Sequence, residues 1–246
     1  MRYLYGLLFY LLSVPHAFSA EPDLQQTTVT INTNLGKIQL ALFNQQTPKT
    51  VENFLQYISD DFYRNTLFHR VTPSLIQGGL YDKKYRKKIP NYPPIVNEAQ
   101  YSSHNTVGTI AMMRGRDPHS ATTQFFINTA NNQQRLDYAS STLQGWGYVV
   151  FGRVIKGMDI VEKIQHSKTG ASGELKKYVP KPMIIIKSID INHRAEMPVS
   201  PKKEVIKPTQ KVIKHVEKTQ QVQIKESLTP AHAQWSPEPP DVPAVE

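Results

Sequence analysis

Residues 68–79 read Phe-His-Arg-Val-Thr-Pro-Ser-Leu-Ile-Gln-Gly-Gly, a run of β-forming residues that carries a single arginine. Because side chains alternate between the two faces of a strand, the pattern predicts Phe68 and Arg70 on one face and His69 and Val71 on the other. A face shared by a cation and an aromatic ring is not typical of ordinary core. The stretch alone leaves a second interpretation open, in which Arg70 lies on an edge strand with its head group in water.

A second stretch, residues 120–128, has a related composition. It reads Ser-Ala-Thr-Thr-Gln-Phe-Phe-Ile-Asn, a polar turn leading into a strand that places an amide next to two phenylalanines. Two such strands side by side would form a shallow apolar depression. The guanidinium of Arg70 and the amides of Gln77 and Gln124 would lie at its edge, which favours a binding site over an ordinary edge strand.

With these blocks the chain resembles the cyclophilin-type peptidyl-prolyl isomerases, most of all their bacterial envelope branch. The resemblance runs from about Thr27 to Asn192. Five blocks occur in the family's order and at nearly its spacing: Phe68-His69-Arg70-Val71-x-Pro73, Gln77-Gly78-Gly79, Gly108-Thr109-Ile110-Ala111-Met112, Gln124-Phe125-Phe126-Ile127 and Val150-Phe151-Gly152-x-Val154-x-x-Gly157-Met158.

Hydrophobic periodicity predicts short strands and two helices across this region. Alternation predicts a hairpin from 28–31 and 38–42, and further strands at 109–113, 124–129, 148–154 and 181–192. Helical spacing is predicted after Thr47, a candidate cap with Pro48 at the first helical position, and again over 157–164. Many short strands favour an all-β fold, a closed antiparallel barrel. The resemblance implies eight strands, with an α-helix capping each end.

The composition of the 246 residues excludes several kinds of chemistry. There is no cysteine, so disulfides, thiolate metal sites and thiol nucleophiles are excluded. The eight histidines are never three or four residues apart, so we expect no metal site and no cofactor. At 39% hydrophobic residues the chain can bury one sizeable core, which predicts one domain with appendages. We expect a monomer.

The net charge of +9 is concentrated in part at residues 83–88, which carry five lysines and arginines. Such a cluster either steers the protein toward anionic partners or is a solvated loop. We find no Gly-rich phosphate loop, zinc-binding spacing or aromatic platform. Nucleic acid is therefore not an expected partner.

Residues 1–20 have the layout of a secretory signal peptide. Arg2 precedes an apolar run of about a dozen residues, and Ala17-Phe18-Ser19 supplies the small-x-small pattern of a cleavage site. As an uncleaved anchor the run would span about 18 Å of a hydrocarbon core about 30 Å thick. We expect cleavage after Ser19 or Ala20 and export to a periplasm, with extracellular release left open.

Residues 196–246 differ from the preceding domain, which we place at residues 21–195. They contain eight prolines, one aromatic residue and no glycine, a composition that predicts a disordered Pro/Lys-rich tail. All seven of its lysines lie from Pro201 to Lys225. The segment is either a solvated spacer or a weak contact with envelope surfaces.

The resemblance implies that the chain catalyses cis–trans isomerisation of Xaa-Pro bonds. This bond isomerises unaided in tens to hundreds of seconds against a barrier of about 18–20 kcal/mol. The reaction needs no nucleophile and no general base, because no bond to carbon is broken. It needs a group that favours the twisted amide, whose nitrogen has regained its lone pair. We assign that catalytic role to Arg70, which can donate a hydrogen bond there.

The resemblance also implies the roles of the other site residues. Gln77 and Gln124 would hold the arginine and the substrate backbone, and His69 would lie at the rim. Phe126, Met112 and Leu136 would form the pocket floor. Arg114 would make a backbone contact with the peptide, and Tyr148 would take a place often held by histidine. For each of these residues, ordinary packing or strand capping is the alternative.

One departure from the family pattern lies between Arg70 and Gln77, where this chain is one residue shorter. The aromatic-methionine pair expected on the pocket floor is replaced by Ser74-Leu75 or by Leu75-Ile76.

The expected function is isomerisation of Xaa-Pro bonds in unfolded or flexible exported proteins, which assists their folding. The alternative is a non-catalytic module or chaperone that binds proline-containing polypeptides.

Overall fold

The computed structural model of the chain describes residues 26–195. The predicted signal peptide at residues 1–20 and the predicted tail at residues 196–246 lie outside the described residues. Within the described part, no helix has the length and apolar character needed to cross a membrane.

Eight strands form a closed antiparallel barrel, as predicted. The strands are β1 (Thr28–Thr33), β2 (Lys37–Leu42), β3 (Thr66–Thr72), β4 (Leu75–Asp82), β5 (Thr109–Met112), β6 (Phe125–Asn128), β7 (Val150–Lys156) and β10 (Ile184–His193). Around the barrel the order is β1-β10-β3-β4-β6-β5-β7-β2, and β2 pairs with β1 to close it.

Both predicted helices are present: α1 (Pro48–Ser59) and α3 (Met158–Gln165). The apolar face of α1 packs into the barrel, where the Phe54 ring meets Phe125 and Phe151 edge-on at centroid distances of 5.6 and 5.1 Å. A four-residue helix, α2 (Gln133–Leu136), and a 3-10 turn (Ala99–Tyr101) were not predicted. Such short elements carry no detectable periodicity.

The start of α1 is capped by a residue distant in sequence. Pro48 takes the first helical position as predicted, but the Thr47 side chain makes no capping hydrogen bond to the helix. Instead, the buried carboxylate of Glu98 accepts from the backbone N–H of Lys49 at 3.2 Å and of Thr50 at 2.9 Å. It also accepts from the Thr50 hydroxyl at 2.7 Å, so it satisfies the donors of the first turn.

A second, two-stranded sheet is an addition to the predicted architecture. It consists of β8 (Lys168–Ser172) and β9 (Leu175–Lys181), which pair antiparallel. Its sequence is polar and rich in lysine, so period-two hydrophobic alternation does not reveal it. The hairpin packs alongside β3, the strand that carries Arg70.

Buried apolar side chains form two separate clusters. The larger cluster fills the barrel and includes Phe68, Val71, Ile76, Ile127 and Phe151. The smaller cluster lies on the opposite, outer face of β4, β5, β6 and β7; its members are Leu75, Ala111, Met113, Phe126, Leu136, Tyr148 and Val150, with Phe43 packed against them. The sheet therefore separates the barrel core from this outer apolar cluster.

Candidate active site

A bulge in β3 determines the face on which Arg70 lies. Across the β3–β4 pair, Phe68 is opposite Gly78 and Arg70 is opposite Gln77, so two steps on β3 correspond to one step on β4. Such a bulge interrupts the alternation of side chains. Phe68 thus lies in the barrel interior with Val71, and Arg70 lies on the outer face. The prediction that Phe68 and Arg70 share a face is wrong for this reason.

Arg70 belongs to one row of paired residues that crosses five strands. Arg70 pairs with Gln77, and Gln77 pairs with Phe126. The row continues from Phe126 to Ala111 and from Ala111 to Val150. Because directly paired residues project from the same face of a sheet, the guanidinium, the amide and the outer apolar cluster are neighbours on one surface.

The two predicted glutamines are joined by a hydrogen bond. The Gln77 Nε2 donates to the Gln124 Oε1 at 3.0 Å. Gln77 is buried, whereas Gln124 and Arg70 are half-buried. The Gln77 Oε1 is buried and has no hydrogen-bond partner within residues 26–195. An unpaired buried acceptor costs about 1–3 kcal/mol, so a donor brought into this site would gain a favourable hydrogen bond.

Phe126 is the central ring of the outer apolar cluster. The Tyr148 ring meets it edge-on, with centroids 5.7 Å apart and planes at 78°. Leu136, the last residue of α2, is 3% exposed and packs in the same cluster. The structure therefore brings Phe126, Leu136 and Tyr148 together beside Gln77.

Met112 does not lie where the sequence predicts it. It pairs with Phe125 and packs in the barrel interior, whereas Ala111 pairs with Phe126. By alternation, the side chain of the next residue, Met113, reaches the outer cluster instead. Sequence reasoning missed Met113, although its two-residue spacing from Ala111 could have identified it.

The shortened segment before Gln77 contributes one apolar residue to the outer cluster. Leu75 lies in that cluster, and Ile76 points into the barrel. Ser74 is half-buried in the turn between β3 and β4. Of the expected pairs, only Leu75 can therefore serve as pocket floor.

The Arg114 side chain links two segments beside the outer apolar cluster by hydrogen bonds to their backbone carbonyls. Its Nε donates to the Gly147 carbonyl at 2.8 Å, and its terminal nitrogens donate to the carbonyls of Gly115 at 3.1 Å and Leu143 at 3.3 Å. Its Cζ lies 4.9 Å from the centroid of the Tyr148 ring. These donors bind the protein's own backbone, so the side chain stabilises this part of the candidate site. The predicted backbone contact of Arg114 with a peptide stays a prediction.

His69 is buried and does not form an exposed rim. It is 4% exposed, and its ring packs against Tyr81 at a centroid distance of 4.7 Å. Burial lowers the pKa of His69 to about 3, and the neighbouring Arg70 charge acts in the same direction. The ring is therefore neutral near pH 7, and its position indicates a packing role at the bulge.

Asn105 is a positioning residue that the sequence did not reveal. It is fully buried, and its side-chain nitrogen donates to the carbonyls of Leu136 and Tyr148, both at 3.2 Å. Its backbone N–H and side chain also donate to the Asp137 carboxylate at 2.7 and 2.9 Å. Asn105 thus ties α2 to the segment before β7 and fixes two residues of the outer cluster. An isolated asparagine in a loop carries no signal for this role.

The β8–β9 hairpin brings an aromatic ring to Arg70. The Arg70 Cζ lies 5.7 Å from the centroid of Tyr178, and the Lys177 Nζ lies 5.2 Å from the same centroid. Tyr178 has a left-handed backbone (φ 64°), a conformation that is uncommon for a non-glycine residue. The hairpin therefore forms one side of the Arg70 environment.

A family model described as cyclophilin type peptidyl-prolyl cis-trans isomerase/CLD matches residues 28–191. The chain belongs to this family, and its activity is the cis–trans isomerisation of peptidyl-prolyl bonds.

Curated relatives extend the match along the same region. Peptidyl-prolyl cis-trans isomerase B of Escherichia coli K12 is 46% identical over 165 residues, which cover 67% of this chain and 99% of that protein. A peptidyl-prolyl cis-trans isomerase of Acinetobacter baylyi is 43% identical over 169 residues, or 68% of this chain and 87% of the relative. Such identities place the chain among bacterial members of the family.

Solved structures agree with the fold. A cyclophilin-type isomerase of Cryptosporidium parvum superposes with a TM-score of 0.54 at 26% identity, covering 69% of this chain and 99% of the other. A second structure of that protein, described as in the presence of the dipeptide Ala-Pro, gives a TM-score of 0.53 at 27% identity, covering 68% and 99%.

Proposed function

We propose that Arg70 is the catalytic residue and that proline-containing segments of exported proteins are the substrates. The row from Arg70 through Gln77 to Phe126 is the observation that carries the proposal. It places a hydrogen-bond donor, an amide and an apolar ring on one surface. The apolar part would take a proline ring, and the polar part would face the preceding amide.

Arg70 would act when the amide is twisted. In the planar forms the prolyl nitrogen is a poor acceptor, because its lone pair is delocalised into the carbonyl. At the twisted transition state it can accept from the guanidinium, so the interaction stabilises the transition state more than the bound substrate. Reaching millisecond turnover requires about five decades of acceleration, or on the order of 7 kcal/mol.

The glutamines would orient both partners. The Gln77–Gln124 hydrogen bond fixes the two amides against each other, and Gln77 is paired directly with Arg70. The unpaired Gln77 Oε1 is an acceptor for a guanidinium or substrate N–H. Phe126, Leu136, Tyr148 and Met113 would supply the apolar floor for the proline ring.

Catalysed exchange of a short Ala-Pro peptide, followed by NMR, tests the role of Arg70. We expect Arg70→Ala to lower the exchange rate of bound peptide by about 100-fold or more, with a smaller change in affinity. Arg64→Ala is the matched control, because Arg64 is exposed and pairs with Asp61 on the loop after α1. Equal rates for wild type and Arg70→Ala would remove Arg70 from the mechanism.

The proposed compartment is the periplasm of a Gram-negative cell, and the support is the signal-like sequence of residues 1–20. There the enzyme would act on unfolded or flexible chains and assist their folding. Expression of the full chain, cell fractionation and N-terminal sequencing test this proposal. The expected product is periplasmic and begins at Ala20 or Glu21; a cytoplasmic product that retains Met1 would contradict it.

A further inference from the structure

Two segments that are far apart in sequence meet beside the Arg70 environment. One is the loop at residues 83–88 after β4, and the other is the turn of the β8–β9 hairpin. They touch where a Cβ placed on Gly173 would lie 2.8 Å from the Tyr85 Cβ. We call their exposed cations the basic surface: Lys83, Lys84, Arg86, Lys87, Lys176 and Lys177.

The acids within these segments do not balance the basic surface. Asp82 uses its carboxylate to build the loop, accepting from the backbone N–H of Lys84 at 2.8 Å and of Arg86 at 3.0 Å. The Asp82 Oδ2 also forms a salt bridge with the Arg86 Nη2 at 2.8 Å. Glu174, exposed at the hairpin turn, is the other acid, so six cations face two acids.

The basic surface is continuous with the isomerase site through Tyr178. Lys177 of the basic surface and Arg70 of the site both lie against the Tyr178 ring, at 5.2 and 5.7 Å from its centroid. Because β9 packs alongside β3, we expect a polypeptide that leaves Arg70 on this side of the site to pass over the hairpin. Charged residues on such a segment would come within a Debye length, about 8–10 Å, of the lysines.

We propose that the basic surface extends the substrate site and selects polypeptide segments that carry acidic residues next to the isomerised proline. The inference rests on the proposed function, because the proline must first occupy the Arg70 site. Clustered charge of one sign raises the local concentration of an oppositely charged substrate and its association rate, and salt suppresses both effects. A nucleic acid is less favoured, since the two tyrosines here, Tyr85 and Tyr178, are half-buried against the protein and offer no open stacking platform.

Paired peptides test this selectivity with the full-length protein. One peptide carries three glutamates on each side of an Ala-Pro bond, and the other carries glutamines at the same positions. At low ionic strength we expect kcat/KM to be about three to ten times higher for the acidic peptide. In 0.5 M NaCl the ratio should fall below about two, because the Debye length shortens to about 4–5 Å.

Two charge-reversal variants identify the surface responsible. Lys83→Glu combined with Lys176→Glu changes the basic surface without touching the Tyr178 ring, and should abolish the acidic preference. The matched control combines Lys37→Glu with Lys163→Glu, exposed lysines at the start of β2 and in α3. This control makes the same change in net charge and should retain the preference.

The inference would be overturned by equal kcat/KM for both peptides, or by an acidic preference that survives 0.5 M NaCl. It would also be overturned if the acidic preference survives in the Lys83→Glu/Lys176→Glu variant, or if the Lys37→Glu/Lys163→Glu control loses that preference to the same extent. Binding of a 12-nucleotide single strand at this surface, without any acidic preference, would do so as well. Failure of the proposed function is a separate observation, because the glutamine peptide would then not be isomerised at all.

Discussion

Met112 and Met113 are consecutive residues whose side chains enter different apolar clusters. We expect Met112→Ala to lower the free energy of unfolding by about 2–5 kcal/mol, with KM for a proline peptide unchanged in the folded protein. Met113→Ala should instead raise KM about fivefold, the equivalent of about 1 kcal/mol of lost apolar contact. Denaturant unfolding and peptide kinetics on both variants measure this. An increased KM in Met112→Ala alone would contradict the assignment.

His69 gives the stability a dependence on pH. Burial lowers its pKa in the folded protein to about 3, below the ordinary value of 6.5. As the pH falls, His69 is therefore protonated in the unfolded chain before it is protonated in the folded protein. The contribution of His69 to the free energy of unfolding is fully present above pH 6.5 and is lost as the pH falls toward 3. The loss is about 1.4 kcal/mol per pH unit.

The pH effect is measured as a difference between wild type and His69→Gln in denaturant unfolding. Between pH 7.5 and pH 5 the wild type should lose about 2 kcal/mol more than the variant. His166→Gln, at an exposed histidine, should follow the wild type. Parallel pH profiles for wild type and His69→Gln would show that His69 is not the residue responsible.

Tyr178 is expected to hold the Arg70 guanidinium in place by stacking against it. A cation–π contact contributes about 0.5–2 kcal/mol, so Tyr178→Leu should lower kcat/KM about two- to thirtyfold. Tyr178→Phe keeps the aromatic ring and should have the kcat/KM of the wild type. The Arg70 Nε–H resonance should move in the leucine variant only. Tyr101→Leu, at an exposed tyrosine, serves as control. If the phenylalanine variant is as slow as the leucine variant, ring stacking is not the cause.

At the scale of elements, the capping of α1 from a distant loop makes that loop part of the fold. Glu98→Ala removes the acceptor for two backbone donors and one hydroxyl, and should cost about 1–3 kcal/mol in the free energy of unfolding. Glu52→Ala on the exposed side of the same helix should change it by less than about 0.5 kcal/mol. Denaturant titration measures both, and an equal effect would rule out capping.

Strong periodicity allowed the barrel strands and both main helices to be predicted from sequence. Alternation identified β1 and β2, and helical spacing identified α1 and α3. The bulge in β3 could not be predicted, because it depends on how β4 pairs across from it. The hairpin β8–β9 was not predicted because its polar residues give no alternation, and its packing against β3 is a tertiary contact.

The same reasoning explains the outcome for the candidate site. Arg70, Gln77 and Gln124 were found as polar residues unusual for their strands, and Phe126 was assigned through the family resemblance. The structure places the four close together. Met112 was misplaced because a motif gives a position in the chain but not the face of the strand. Tyr178 and Asn105 reach the site from elements with no pattern of their own, so only tertiary contacts reveal them.

At the scale of the whole molecule, residues 26–195 contain every residue that the proposed mechanism uses. The final described residue, Ala195, is buried, and its N–H donates to the Thr27 hydroxyl at 3.1 Å, so the two ends of the described region meet. We expect a protein of residues 26–195 to fold and to isomerise a short neutral peptide at the rate of the chain of residues 21–246. NMR exchange measures this, and a tenfold slower shortened protein would assign residues 196–246 a part in turnover.

The outer apolar cluster lies against the wall of a barrel that its own side chains fill. Under the proposed mechanism, a substrate therefore lies on the outside of the barrel described for residues 26–195 and does not thread through it. A prolyl loop on an already compact client would need only to lie across this surface, as would a nascent strand. We expect the limit on client size to be how far the Xaa-Pro bond protrudes from the client.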